Sequence, residues 1–272
     1  MTQPLFDHLP EIAARVEAAG DLLVFLDFDG TLAPVVSDPG MALMPPQTRR
    51  ALTSLAAVEK VSLAIISGRA LPDLKARVGM PNLIYAGNHG LEISGPGMYF
   101  IQPDAAKRVQ ALGELLRDLQ SRLEPIPGVQ VENKVLSASV HYRRAPTGKM
   151  REIHQAINSV VTSSGGQFQM SPGLQVYEIR PRVRWHKGKA VAWIREALAK
   201  RNPLAVYVGD DVTDEDAFLA LPEGITVSVG SAQQTSARYY LEDQGSLQQF
   251  LAWLIGLRPQ PEPVPIGSGR GP

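Results

Sequence analysis

Apolar and polar positions follow two different rhythms along this 272-residue chain. Short apolar runs at 22–27, 61–66, 82–86, 204–208 and 225–229 read as strands. Helical patterns lie between them, at about 47–58, 71–78, 188–200, 213–220 and 246–256. Strand and helix in alternation argue for an α/β fold, a parallel sheet with helices on both faces. After Asp104 the rhythm changes. Val109, Leu112, Leu116, Leu119 and Leu123 recur at helical spacing. Val129 to Arg143 then reads as two strands, with Leu136, Ala138, Val140 and Tyr142 alternating against Val135, Ser137, Ser139 and His141. A second helix places Ile153, Ile157, Val160 and Val161 on one face. Two further strands follow near 167–170 and 174–180, with Ser171-Pro172-Gly173 as the turn.

This stretch is helix–strand–strand, written twice. Antiparallel pairs joined by short turns do not belong to a parallel core. Residues 103–182 are therefore expected to form a separate α+β cap, set between core halves 1–102 and 183–257. Pro103 and Pro181-Arg182 are the expected hinges. The segment from Arg258 to Pro272, rich in proline and glycine, is expected to be a flexible tail.

Composition narrows the classes of function. Lys and Arg total 27, matched by 27 Asp and Glu, so nothing suggests a nucleic-acid or anionic-membrane surface. The absence of cysteine excludes disulfides, thiol nucleophiles and zinc–thiolate sites. No basic stretch followed by a long apolar block opens the chain, and no segment reaches membrane-spanning length. A soluble cytoplasmic protein is expected; the oligomeric state is not legible.

Candidate chemistry gathers where strands stop. The first run ends in Asp27-Phe28-Asp29-Gly30-Thr31-Leu32. Period-2 geometry sends Asp27 and Asp29 to one side, at the sheet edge where ligands bind in parallel folds. Two carboxylates so close resist joint ionisation unless a cation or a shared proton compensates. The second run ends in Ser67-Gly68-Arg69, and the fourth in Gly209-Asp210-Asp211-Val212-Thr213-Asp214-Glu215-Asp216. Trp185-His186-Lys187-Gly188-Lys189 leads into a helix with Val191, Ile194 and Leu198 on its apolar side. Each has a plainer reading. Asp29-Gly30 and Ser67-Gly68 are common turn pairs, Thr213 to Asp216 fits a capping box, and Lys187 and Lys189 fit a solvated helix start.

Taken together and in order, these four segments resemble the four signatures of haloacid-dehalogenase-type (HAD) phosphohydrolases, over roughly residues 20–250. The resemblance implies a HAD-like Rossmannoid parallel-sheet core with the inserted cap. It also implies displacement at phosphorus by Asp27 through an aspartyl-phosphate, with Asp29 as general acid and base. Mg²⁺ would be held by Asp27, the main-chain carbonyl of Asp29 and Asp210, supported by Asp214. Lys187 would neutralise charge, while Thr31, Ser67, Gly68 and nearby backbone N–H groups would bind the phosphoryl group.

Further residues are similar to the pattern of trehalose-6-phosphate phosphatases. They are Leu32-Ala33-Pro34, Gly87-Asn88-His89-Gly90, Glu132-Asn133-Lys134, His141-Tyr142-Arg143, Tyr177-Glu178-Ile179-Arg180-Pro181, and the acidic segment as it runs on through Ala217-Phe218. By that resemblance trehalose 6-phosphate is the substrate, and Glu132, Lys134 and Glu178 hydrogen-bond the distal glucose. Arg69, Asn88 and His89 would also contact substrate. Plainer readings stay open here too. Glu132-Asn133-Lys134 could be a polar turn, Glu178 and Arg180 a surface ion pair, His89 a buried structural histidine and His141 a cap-surface residue; His186 has no assigned role. Other readings of the whole are a phosphatase for another sugar phosphate (sucrose phosphate or mannosyl-phosphoglycerate), a sugar phosphomutase, and a receiver-like signalling module phosphorylated at Asp27.

Overall fold

The computed structural model describes residues 2–36, 38–230 and 234–257. The expected tail thus lies outside the described residues. A nine-stranded sheet forms the larger layer, in the order Gln3–Pro4, Tyr239–Leu241, Ile225–Val229, Pro203–Gly209, Asp21–Asp27, Val61–Ile66, Ile84–Gly87, Glu92–Gly95, Met98–Ile101. Every pair as far as Ile84–Gly87 is parallel, and the last two strands append an antiparallel hairpin. That hairpin, the two outermost short strands on the other edge and the helix Leu9–Ala18 are additions to the sequence reading.

Alternation along the central strands sorts side chains to two sides. Leu22, Val24 and Leu26 point one way, into a core with Ile12, Leu52, Leu55, Phe250 and Leu254 from the helices. Leu23 and Phe25 point the other way, against Ala190, Val191 and Ile194 of the helix Lys187–Leu198 and against Phe218. Asp27 continues the second series, so the strand delivers it to the side occupied by the start of that helix.

A second sheet of four strands has the order Gln130–Asn133, Ala138–His141, Val176–Pro181, Phe168–Gly173, all antiparallel. Helices Val109–Leu123 and Met150–Ser163 cover one side, burying Leu112, Leu119, Ile153 and Ile157 against Ala138, Val140 and Ile179. The register aligns Glu132, Ser139, Glu178 and Ser171 in a single row on the opposite side. Two details depart from expectation. The helix expected from Asp104 is broken into Pro103–Ala106 and Val109–Leu123. Ser171-Pro172-Gly173 is not the turn: these residues pair with Glu178, Tyr177 and Val176, and the chain reverses at Leu174-Gln175. Pro172 fits there because its strand lies at the sheet edge, where a missing N–H breaks no ladder.

The two sheets are tied together through the turn between Gln130–Asn133 and Ala138–His141. Leu136 packs with Leu91 and Ala105 in a small separate core. Fully buried Asn88 donates from Nδ2 to the Lys134 carbonyl at 3.2 Å and accepts from Ser137 Oγ at 2.5 Å. Arg144 also pairs with Asp38 across the gap, at 2.7 Å.

Asn88→Ala should leave the buried Ser137 hydroxyl unpaired and remove one of the two hydrogen bonds to the Lys134 carbonyl, which keeps the one from the Leu136 N–H. A loss of about 1–3 kcal/mol is expected, read as a lower melting temperature; an unchanged melt would contradict this account of the junction.

Candidate active site

The strand ends open onto a cavity of about 500 Å³ between the two sheets, with Asp27, Ser67 and Lys187 at its floor and Glu132, Lys134 and Glu178 on its roof. Lys187 is the centre of the floor. Its ammonium, on a side chain 2% exposed, donates to Asp27 Oδ1 at 2.8 Å and to Asp214 Oδ1 at 2.7 Å. Those two carboxylates overcome the cost of burying the ammonium and keep Lys187 protonated. Asp214 is saturated. Its Oδ1 also accepts from Tyr207 Oη at 2.6 Å, and its Oδ2 from the backbone N–H groups of Asp210 and Asp211 at 3.2 and 3.1 Å. The capping box here joins Asp211 and Asp214, two residues earlier than the Thr213-to-Asp216 box considered from the sequence.

Asp210 approaches from the neighbouring strand end. Its Oδ1 accepts from Thr31 Oγ1 at 2.8 Å, so the threonine expected to bind phosphate instead holds a carboxylate. A side chain at Gly30 (φ +88°) would place its Cβ 1.8 Å from Asp210 Oδ2, which makes glycine obligatory there.

Asp27, Asp210 and Asp214 each offer an oxygen within 4.8 Å of the others. Burial, followed by repulsion from Asp214 and Asp210, pushes Asp27 well above the usual carboxylate range, against the pull of Lys187. Asp210 is pushed up to about 7, chiefly by burial and then by Asp214 and Asp211, against its hydrogen bond from Thr31. Fully ionised, these three carboxylates carry more negative charge than Lys187 alone balances, and both upward shifts express burial together with that excess. An all-oxygen donor set with surplus charge suits a hard divalent cation.

Arg69 is placed differently from expectation. Its Nε and Nη2 grip the two oxygens of Asp29 at 2.7 and 2.6 Å, and its Nη1 reaches Asp73 at 2.9 Å. A guanidinium fork committed to two carboxylates positions Asp29 and is not open to substrate. Asn88, also expected at substrate, is turned away from the cavity and spends both polar ends on the turn of the second sheet. Ser67 does line the cavity, with its Oγ accepting from the Arg69 N–H at 3.2 Å. Gly68 lines it too, and a Cβ there would lie 2.7 Å from the His89 ring.

His89 faces the cavity with both ring nitrogens buried and unpartnered. Burial first, then the positive fields of Arg180, Lys187 and Lys134, keep it neutral. On the roof, Lys134 donates to Glu178 at 3.3 Å and to the Gly68 carbonyl at 3.2 Å. Glu178 also accepts from Ser139 Oγ at 2.7 Å, and Glu132 meets His141 Nε2 at 2.8 Å. Glu178 thus pairs with Lys134, not Arg180, and His141 lines the cavity. His186 sits apart, 3.6 Å from Asp216.

Sequence reading missed Tyr207, Ser139, Asp73 and Arg180. Tyr207 had a signal: a hydroxyl inside an apolar strand, an even number of residues from Ala205 and Gly209 on the side that meets Lys187. Asp73 had none, because its role depends on where Arg69 folds.

No helix among the described residues is long and apolar enough to cross a membrane. A trehalose-phosphate phosphatase of Mycobacterium tuberculosis is 36% identical over 236 residues, 84% of this chain; the chain spans only 59% of that relative's length. The C-terminal domain of Candida albicans trehalose-6-phosphate phosphatase superposes with a TM-score of 0.78 at 24% identity, covering 94% of this chain and 98% of that one. A haloacid dehalogenase-like hydrolase from Bacteroides thetaiotaomicron shares the fold at a TM-score of 0.61 and 15% identity, over 86% of this chain and 99% of its own. The family model described as trehalose-phosphatase matches residues 25–245, and the chain belongs to that family.

Proposed function

We propose that this chain hydrolyses trehalose 6-phosphate to trehalose and inorganic phosphate, with residues 103–182 acting as a cap over a catalytic core of 1–102 and 183–257. The observation that carries this is the buried Asp27–Lys187–Asp214 chain at the floor of a cavity roofed by Glu132, Lys134 and Glu178. A floor that manages anionic charge beneath a roof of carboxylates and a lysine suits an ester with a phosphate at one end and sugar hydroxyls at the other. Enclosure argues against a signalling module, whose phosphorylated surface must stay open to a partner.

In the first step an Asp27 oxygen attacks phosphorus and the bond from phosphorus to the sugar oxygen breaks. Asp29 gives that oxygen a proton. In the second step Asp29 takes a proton from water, the water oxygen attacks the phosphorus of the aspartyl-phosphate, and Asp27 departs as carboxylate with inorganic phosphate released. Arg69 holds Asp29 at the cavity edge through two hydrogen bonds, so the carboxylate gives up at least one of them to reach the ester. Lys187 offsets charge on Asp27 and on the phosphoryl oxygens, while Ser67 and the backbone at Gly68 face the transferred group. Mg²⁺ is the cation we assign to Asp27, Asp210 and the Asp29 carbonyl, with Asp214 behind them. When bound it supplies positive charge against the phosphoryl oxygens and the clustered carboxylates. The balanced charge of the chain and its lack of cysteine fit a cytoplasmic setting with a small-molecule partner and no nucleic acid.

Three outcomes test this reading. Asp27→Asn should remove turnover of trehalose 6-phosphate by about a thousandfold or more while circular dichroism stays native, since the nucleophile is lost but not its shape; appreciable residual phosphate release rejects the covalent role. Chelation should stop turnover and lower the melting temperature, and added Mg²⁺ should restore both; indifference to the chelator undoes the cation assignment. Glu178→Ala should cut kcat/KM for trehalose 6-phosphate by about tenfold more than for p-nitrophenyl phosphate. Equal losses would place Glu178 outside sugar recognition.

A further inference from the structure

The cations lining the cavity are nearly all spoken for by carboxylates. Arg69 is held by Asp29 and Asp73, Arg77 by Asp73, Lys134 by Glu178, Arg144 by Asp38 and Lys187 by Asp27 and Asp214. Arg180 is different. Its Nη2 donates to Ser171 Oγ at 3.2 Å, and its Nε is buried with no partner at all. Among the described residues no carboxylate lies within ion-pair distance of it. Glu178 shares its face of the strand, but Glu178 is turned to Lys134 and Ser139. Arg143 also lines the cavity without such a partner, but it follows the end of the strand Ala138–His141, beside exposed Arg144.

Position separates Arg180 from the sugar-facing row. Glu132, Ser139 and Glu178 align across the second sheet, and Arg180 stands one step nearer the core on the same face. There it lies close enough to His89 to help keep that ring neutral, together with Lys187 and Lys134. The His89 ring rests against Gly68, beside Ser67. A guanidinium with an unpaired buried N–H is costly unless something arrives to use it. Neutral hydroxyls would leave its charge unmatched, whereas a phosphate dianion meets both the charge and the fork of N–H donors.

We propose that Arg180 is the residue of the inserted sheet that binds the phosphate group of the substrate, reaching down from the roof while Lys187 acts from the floor. This deepens the phosphatase reading and rests on it. The phosphate then bridges the two layers, so the ligand's charge helps draw the roof onto the floor, and a neutral disaccharide lacks that link. Arg180 becomes a discriminator between substrate and sugar product.

Calorimetric titration of the full-length wild-type, Arg180→Met and Arg180→Lys proteins with inorganic phosphate, and separately with trehalose, tests this without using turnover. Arg180→Met should weaken phosphate binding by about tenfold or more and leave trehalose binding within about twofold of wild type. Arg180→Lys, which keeps the charge but loses the fork, should fall between and serves as the measurement if Arg180→Met does not fold. Weakened trehalose binding with phosphate binding intact would overturn the proposal and place Arg180 in the sugar subsite. No change with either probe would overturn it as well. A wild-type protein that releases no phosphate from trehalose 6-phosphate would count against the substrate assignment, a failure visible separately from either titration result.

Discussion

One ammonium group organises this molecule's chemistry. Lys187 is buried between Asp27 and Asp214, where an unpaired charge would cost several kcal/mol. It is tolerable only because two carboxylates flank it, and they in turn are tolerable only because it is there. Tyr207 and the backbone N–H groups of Asp210 and Asp211 then fix Asp214, so the lysine has a rigid rear support and a reactive front. Strand alternation makes the meeting possible. Leu23, Phe25 and Asp27 share a side, and the helix beginning at Lys187 packs on that side through Ala190, Val191 and Ile194. Core packing and catalytic geometry are thus one arrangement.

The second layer answers a different need. The floor crowds the carboxylates of Asp27, Asp210 and Asp214 together, which suits a cation and a transferring phosphoryl group but cannot read a sugar. The inserted sheet presents Glu132, Ser139 and Glu178 in one row, because residues in register across antiparallel strands share a face. Its turn is anchored in the core through Asn88 and Leu136, so the row is held at a set height above the floor. Lys134 spans the gap, touching Glu178 above and the Gly68 carbonyl below.

Much of this was legible in the sequence. The central strands and their helices follow from apolar runs, and the carboxylates, lysine and serine at their ends sit where parallel sheets place ligands. What periodicity could not see was partnership. Nothing in the spacing says that Arg69 would close on Asp29, or that Thr31 would hold Asp210, because both depend on how separate strand ends converge. Asn88 carries the look of a substrate contact and serves as a rivet between layers instead. The turn at 171–173 was misplaced for a local reason: serine, proline and glycine form a turn in most settings, but an edge strand accommodates them, and Leu174-Gln175 made the reversal. The broken helix at Lys107-Arg108 left the apolar spacing intact, so spacing alone could not reveal it.

The central claim is that Lys187 and its flanking carboxylates present Asp27 as a nucleophile to phosphorus. Acid-quenching the enzyme during turnover of trehalose 6-phosphate, followed by peptide mass spectrometry, tests it most directly. A phosphoryl group on the peptide carrying Asp27, lost on treatment with hydroxylamine as an acyl phosphate should be, is the predicted result. Turnover with that peptide unmodified at every quench time, or a phosphoryl group carried on another residue, would contradict it.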